Sequence, residues 1–362
     1  MRIALTTPFS WPEVRRGGER YAHELAAALQ AAGHEVTVWS TARRPGRRRI
    51  LGVPVRQLAE RPQLAPRWGP QAVEVAFGRQ VLGRLLTARI DVWHATGIGD
   101  GAAATIAGRL RPSLRTIFTD HGFPALASRS KRRDAGLQVR VTRHIDAYVC
   151  VSEAAGHYLH KDYGRRPDVV PPGVDVGSYQ PAERDRRPTL MFSGQLDESR
   201  KNLPLLLEAV AELRCTDLPD LQLWLAGQGD AGPALAAAPR PARDAVTWCG
   251  PLEEVELRRR YAEAWVTVLP SVAESFGLAV VESLASGTPA VVRRDGGGPA
   301  GIITDPETGV QSGPAASDLA SAIRQALPLA SRPGTAAACR RAAEPYDWAN
   351  VVTRLERIYA GS

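Results

Sequence analysis

The sequence predicts an α/β protein made of two successive parallel-sheet domains. Three observations carry that expectation: the length, a strand–helix alternation that runs, stops and restarts, and a proline-rich break between the two runs. The chain has 362 residues, more than one ordinary core holds and suited to two domains of about 150–200 residues each. Residues 2–6 read as a first strand. Gly17 and Gly18 then open a helix in which Tyr21, Leu25, Ala28 and Leu29 recur at helical spacing; Gly33 ends it, and residues 34–39 form the next strand. A strand–helix–strand unit of this size demands a parallel pair.

The remaining elements follow in order. Residues 41–49 read as a basic, turn-rich loop, and further strands are expected at 53–57, 91–94, 115–119 and 147–151. Residues 124–134 read as an irregular basic loop leading into a helix that ends near His144. Around residues 169–187 the character changes: Pro171, Pro172, Gly173 and Pro181 fall among charged residues, a linker signature. The alternation then restarts with strands at 189–193, 222–226, 246–249, 266–270 and 289–292, and helices at 203–213, 253–262 and 276–285. Two facing Rossmann-like halves are expected, with a ligand in the cleft between them at the carboxyl ends of the strands.

Composition narrows the class. Hydrophobic residues make up 44% and charged residues 23% of the chain, ordinary for a globular protein. No window reaches the apolar length of a membrane span, and the N-terminus reads as a strand, not a signal peptide. Cys150, Cys215, Cys249 and Cys339 lack ligand-like spacing and read as reduced packing residues of a cytoplasmic protein. The net charge of +8 is uneven: residues 1–180 hold 27 basic and 15 acidic residues, or +12, and residues 181–362 hold 19 and 23, or −4. A basic half suits an anionic membrane face or an acidic substrate; its bland counterpart is a solvated arginine surface. Nucleic acid is not expected, because no aromatic–basic interleaving or binding module accompanies the charge.

The segment VTVLPSVAESFGLAVVESLASGTPAVV, residues 266–292, holds the chemistry. A buried strand ends at Pro270, a loop carries Glu274, and a helix expected to start near Ser275 carries Glu282. The N–H groups of Ser275, Phe276, Gly277 and Leu278 would then lie at a helix N-terminus, where a diphosphate binds readily. Eight helical positions span at most about 12 Å, roughly the reach from ribose to hexose in a nucleotide sugar, and carboxylates accept well from vicinal hydroxyls.

This segment resembles the paired-glutamate signature of the family 4 glycosyltransferases, and other motifs follow in the family's order. Residues 8–39 resemble its Gly-Gly loop. DVWHATG (91–97) and DHG (120–122) resemble its strand-end histidine motifs, and VCVSEAAGHYL (149–159) and VVPPGVD (169–175) its interdomain stretches. SGQLDESRKN (193–202) resembles its basic phosphate clamp. LAGQGD (225–230), WCGPL (248–252) and PETGV (306–310) match further landmarks, and WANVVTRLERIY (348–359) the last helix, which crosses back to the first domain. The resemblance implies a GT-B fold: an acceptor-binding domain over residues 1–178, a donor-binding domain over 179–345, and a terminal helix over 346–362 packed on the first.

It also implies a retaining transfer of a hexosyl group from a nucleoside diphosphate sugar to an acceptor hydroxyl, with UDP favoured over GDP. Lys201 would neutralise the departing diphosphate, Glu274 would hold hexose hydroxyls and Glu282 the ribose. His121 would sit by the hexose, Gly17 and Gly18 by the phosphate, and Gly250 and Leu252 by the base. Arg15, Arg16, His94 and Ser152 are acceptor-side candidates. Arg43, Arg44, Arg47–Arg49 and Lys131–Arg133 would suit a phosphate-bearing small molecule, a lipid-linked acceptor, or peripheral contact at the inner membrane face. No cofactor is expected, the nucleotide sugar being a co-substrate, and no metal, since no DxD motif has strand-end context and His157 and His160 lack a third ligand. The oligomeric state is left open.

Two departures stand out. Gln195 occupies the clamp position where the family usually has arginine, leaving Arg200 as the second cation. Ala300 and Gly301 stand near a usual glutamate, after the glycines 296–298. A dinucleotide oxidoreductase would need GxGxxG after the first strand, which is missing. A sugar-nucleotide epimerase of the same fold, or a non-catalytic sugar-nucleotide binder that has lost its clamp arginine, are the competing readings.

Overall fold

The computed structural model describes residues 1–13, 17–61, 71–122 and 131–361. Arg15, Arg16 and most of the expected basic loop at 124–134 lie outside them. The chain divides into two compact units: Met1–Gly173 with Trp348–Ser362, and Val174–Asp347.

The first unit is an eight-stranded sheet: β1 (Arg2–Thr6), β2 (Glu35–Ala42), β3 (Gly46–Ile50), β4 (Val53–Ala59), β5 (Val92–Ala95), β6 (Arg115–Asp120), β7 (Ala147–Cys150) and β8 (Asp168–Val169). The strands lie in the order β3-β4-β2-β1-β5-β6-β7-β8. Its helices are α1 (Gly17–Ala31), α2 (Gln71–Leu85), α3 (Ile98–Leu110), α4 (Lys131–His144) and α5 (Glu153–Tyr163). Alternation along β1, β2 and β4 sends Ile3, Leu5, Val36, Val38, Val53 and Val55 to one face, where Tyr21, Leu25 and Leu29 of α1 cover them. α2 and α3 cross at glycines: a Cβ on Gly78 would lie 2.1 Å from the Gly99 carbonyl oxygen, and one on Gly99 2.1 Å from that of Glu74.

One expectation is corrected here. Residues 46–50 are not loop but β3, an antiparallel edge strand on β4, with Arg47 opposite Arg56 and Arg49 opposite Pro54. A two-residue turn at Leu51 (φ 48°) and Gly52 (φ 77°) closes the hairpin in left-handed conformations. Run-together arginines hid the strand, because an edge strand can expose charge on most of its length. All other neighbours in this sheet are parallel.

The second unit is a six-stranded parallel sheet of β9 (Thr189–Ser193), β10 (Gln222–Ala226), β11 (Val246–Gly250), β12 (Val266–Leu269), β13 (Ala290–Arg293) and β14 (Gly309–Ser312), ordered β11-β10-β9-β12-β13-β14. Its helices are α6 (Leu203–Thr216), α7 (Gly232–Ala237), α8 (Arg240–Ala245), α9 (Glu254–Glu263), α10 (Leu278–Ala285), α11 (Gly298–Ile302), α12 (Ala316–Ala326) and α13 (Thr335–Ala343). Leu206, Leu207, Val210 and Leu213 of α6 meet Leu319 and Ile323 of α12 over the sheet residues Leu190, Phe192, Leu223, Leu225, Val266 and Val268. The order changes direction at β9, whose neighbours are β10 on one side and β12 on the other. In parallel α/β sheets such a point opens a crevice at the strand ends. The loops after β9 and β12 are those that carry Lys201 and Glu274.

The last helix, α14 (Trp348–Ala360), belongs to the first unit. Val351, Val352, Leu355 and Tyr359 join the core around α1.

Candidate active site

The loop after β12 is built by backbone. Ala273 takes a left-handed conformation (φ 52°), and its N–H donates to Asp295 Oδ2 at 2.7 Å. The other oxygen of Asp295 accepts from the Gly297 N–H at 2.9 Å, and the Gly298 N–H donates to the Glu274 carbonyl at 2.8 Å. The loops after β12 and β13 thus interlock. Glycine is required there for space: a Cβ on Gly298 would sit 2.4 Å from the Ser275 carbonyl oxygen and 2.6 Å from Phe276 Cα. The sequence points to a helix starting near Ser275; the structure starts α10 at Leu278, with Gly277 at the N-cap in a left-handed conformation (φ 99°, ψ 58°). Ser275 and Phe276 are therefore loop residues, and Phe276 packs edge-on against Tyr346 at 5.4 Å. The turn at Gly277 delays the helix because its left-handed backbone cannot continue a right-handed one.

Lys201 arrives on the loop after β9. Ser199–Lys201 form a 3-10 turn that ends at Asn202, left-handed at φ 56°, before α6 begins. The Val272 N–H donates to the Arg200 carbonyl at 2.7 Å, tying this turn to the loop after β12. The Lys201 stem lies over Gly194, where a Cβ would be 3.6 Å from Lys201 Cδ and Cε. Its Nζ meets Glu274 Oε2 at 2.5 Å, with the two side chains 15% and 16% exposed. An ammonium and a carboxylate this shielded attract strongly, and each can also accept a new partner from the open side.

The clamp expected around 195–201 is rearranged. Gln195 donates to Asp197 Oδ1 at 2.6 Å on the surface, so no cation stands there. Arg200 pairs with Glu198 and donates to the Ala273 carbonyl at 3.2 Å, which supports the residue before Glu274. Lys201 is thus the cation that faces the Glu274 carboxylate directly.

Glu282, on α10, is 3% exposed and accepts from the Tyr261 hydroxyl of α9 at 3.0 Å. It is an enclosed, held carboxylate and not a solvated one. Gly250 ends β11 left-handed (φ 66°) with open space where a side chain would be, and its carbonyl accepts from the Gly227 N–H at 2.9 Å. Leu252 follows, half-buried. Asp295, Tyr261 and Asp197 were not among the expected site residues. Tyr261 bonds Glu282 and Asp197 bonds Gln195, while Asp295 holds the backbone of Ala273, the residue before Glu274; Tyr261 and Asp295 lie about 20 positions from these partners, a separation with no local sequence signal.

In the first unit, Gly17 and Gly18 begin α1, and Gly18 has open space around its missing Cβ. His121 follows β6 and meets Tyr21 edge-on at 4.5 Å. Its Nε2 is buried with no hydrogen-bond partner among the described residues, and burial holds the ring neutral, its pKa lowered to about 4. Neighbouring Asp120 accepts from Gln138 at 2.5 Å and Tyr148 at 3.1 Å; burial raises its pKa to about 6.

Two acceptor-side candidates take other roles. His94 is fully enclosed, with Nδ1 2.7 Å from the Tyr359 hydroxyl and Nε2 2.7 Å from Thr119 Oγ1. Both ring nitrogens are engaged, so it ties β5 to β6 and α14 and has none left for an acceptor. Ser152 caps α5, its Oγ accepting from the Ala155 N–H at 3.1 Å. Among the described residues no group of three or more His, Cys, Asp or Glu side chains stands together as a metal centre, and no helix is long and apolar enough to cross a membrane.

The chain matches known proteins along its length. Residues 15–178 match the family model described as glycosyltransferase family 4, and residues 187–328 that of glycosyl transferases group 1. An MMP alpha-(1->4)-mannosyltransferase of Mycolicibacterium hassiacum is 32% identical over 229 residues, 62% of this chain and 56% of that protein. A phosphatidyl-myo-inositol mannosyltransferase of Mycobacterium tuberculosis is 27% identical over 99% of this chain and 96% of its own. The structure of Anabaena Alr3699/HepE in complex with UDP-glucose superposes with a TM-score of 0.74 at 17% identity, covering 100% of both chains. With both halves matched in order and the architecture shared from end to end, the chain belongs to glycosyltransferase family 4, enzymes that transfer hexosyl groups, and has their GT-B fold of two parallel-sheet Rossmann-like domains.

Proposed function

We propose that the protein transfers a hexosyl group from a nucleoside diphosphate sugar to an acceptor hydroxyl with retention of configuration. The observation that carries this reading is the Lys201–Glu274 pair at 2.5 Å, held on two loops at the point where the second sheet changes direction. A donor entering here would exchange the ion pair for two better-matched partners. The Lys201 ammonium would turn to the diphosphate, whose charge grows as the bond from the anomeric carbon to the phosphate oxygen breaks, and so would stabilise the transition state more than the ground state. Glu274 would accept from hexose hydroxyls. In this reading it binds hydroxyls and forms no covalent adduct. The acceptor oxygen would then bond to the anomeric carbon on the face the diphosphate leaves, its proton passing to a phosphate oxygen.

Glu282 would hold the ribose, and the backbone around Gly250 and Leu252 the base. The donor follows UDP by analogy with the UDP-glucose complex, with GDP-mannose as the competitor suggested by the mannosyltransferase relatives. A phosphorylated or lipid-linked small molecule suits the basic first half as acceptor, and an anionic membrane face suits it as a peripheral support. Incubation with UDP-glucose, UDP-galactose and GDP-mannose, with release of nucleoside diphosphate as the readout, tests the reading. One donor is expected to be consumed by the wild type and spared by Lys201→Ala. Silence toward every donor, or equal turnover by the variant, would sink it. Sedimentation with anionic and neutral vesicles tests the membrane support, which falls if the two are bound equally.

A further inference from the structure

The first unit contains a groove of about 880 Å³ that the donor chemistry does not use. It lies on the face of the sheet opposite α1, where side chains of β1, β2 and β4 alternate away from the core. Small residues create it: Ala4 of β1, Thr37 of β2 and Gly83 near the end of α2 line it where larger side chains would have filled the space between sheet and helix. Its lining includes the first residues of β1 and β2, Arg2 and Glu35, and the loop 87–90 that leads into β5. These are the amino ends of parallel strands; at its other end the groove reaches Trp39 and Arg56, which are level with Thr6, the last residue of β1.

Its charge is one-sided. Arg47, Arg56, Arg84 and Arg89 line it, against the carboxylate of Glu35; the fifth arginine, Arg2, is already paired with Asp91 at 2.5 Å. Among the described residues none of these four guanidinium groups has a carboxylate partner. The backbone also forces two of them together. Arg47 and Arg56 stand directly opposite each other on β3 and β4, and like charges so placed repel. Arg56 is opposite Trp39 on β2 and lies over its ring, 5.1 Å from the centroid, a contact that restrains the guanidinium without neutralising it. A row Trp39–Arg56–Arg47 therefore crosses three strands with two cations unmatched and one held in place.

We infer that this groove binds a phosphate-bearing anion, with Arg47 and Arg56 as a two-guanidinium clamp and Arg84 and Arg89 closing it from the helix side. Planar guanidinium groups bind phosphate oxygens in bidentate fashion, and the anion relieves the repulsion between the opposed pair. A soluble phosphorylated molecule and a lipid phosphate share this chemistry, and the experiment separates them. Inorganic pyrophosphate is titrated calorimetrically into the full chain carrying Lys201→Ala, so that the proposed donor site is weakened and its success or failure does not decide this one. Binding is expected, weakening at least about tenfold when Arg56→Ala is added. In parallel, sedimentation with vesicles of phosphatidylglycerol and of phosphatidylcholine reads the lipid source. Selective loss of phosphatidylglycerol binding on Arg56→Ala also supports the site and assigns it to lipid. Arg84→Glu, at an exposed position, repeats both arms with a substitution the fold tolerates. Unchanged affinity for both probes in both variants, or no binding of either probe at the start, overturns the inference.

Discussion

Lys201 is one of only three lysines, with Lys131 and Lys161, among 46 basic residues. A compact ammonium on a flexible stem can lie along Gly194 and still reach Glu274; a guanidinium is broader and planar. Lys201→Ala should lower turnover by about 10²–10³-fold, the usual cost of removing one preorganised group from a transition state, with the circular dichroism unchanged and only a modest fall in melting temperature from the unpaired Glu274 carboxylate. Equal loss of stability and turnover would mean that the pair is structural. Tyr261→Phe acts differently. It takes a donor from a carboxylate that is 3% exposed, so a stability loss of about 1–3 kcal/mol is expected, with KM for the donor raised more than kcat is lowered. A change confined to kcat would argue against a ribose role for Glu282. The carboxylates and the lysine were legible in the sequence because they are polar residues in a strand–loop–helix frame. Tyr261 and Asp295 were not, because they act across space on residues about 20 positions away.

Titration follows from the same burial. Burial holds His94 and His121 neutral, at about 3 and about 4 against an ordinary 6.5. The unfolded chain then binds more protons across that window, so these two groups lose stability as pH falls. Burial raises Asp100 and Asp120 to about 7 and about 6 from an ordinary 3.8. The native state then binds more protons, so these two lose stability as pH rises through their window. Between about pH 4 and 6 the pairs oppose one another. Asp100→Asn removes the stronger acid contribution and leaves only Asp120 opposing the histidines, so its melting temperature should climb more steeply with pH than that of the wild type. Parallel profiles would contradict this.

At the scale of elements, the site depends on two loops that touch through backbone. Gly298→Ala would push a Cβ against Ser275 and Phe276 and move the carbonyl of Glu274, which the Gly298 N–H holds. A misplacement of about 1 Å at a reacting group costs about 10²-fold in rate. We expect that scale of loss with the sheet intact, checked by turnover and melting together; full activity would show that the interlock does not set the position of Glu274. Most strands were readable because each is an uninterrupted apolar run between turn residues, as at 189–193 and 222–226. β3 was not, since its outward residues are arginines, and neither was the true start of α10. Gly277 fits both a helix N-terminus and a left-handed cap, and only the backbone conformation separates them.

For the whole molecule, the last residues complete the first unit although they follow the second in sequence. Val351, Val352, Leu355 and Tyr359 fill its core, and Tyr359 completes the pairing of His94. Burying each large apolar side chain contributes about 1.5–3 kcal/mol, so removing residues 348–362 should cost most of a typical domain stability of 5–15 kcal/mol. The truncated chain should lose the cooperative unfolding of the first unit, read by differential scanning calorimetry, and an unchanged trace would contradict the packing role. The resemblance of residues 348–359 to a returning helix made this element readable, whereas the glycine crossing of α2 and α3 left no periodic signal of its own. The central claim, that Lys201 and Glu274 grip a nucleotide sugar, is tested most directly by an experimental structure of the protein with a donor it consumes. The account predicts the diphosphate within hydrogen-bond distance of Lys201 Nζ, hexose hydroxyls on Glu274, and the two side chains parted from each other; a donor bound elsewhere with the Lys201–Glu274 pair intact would contradict it.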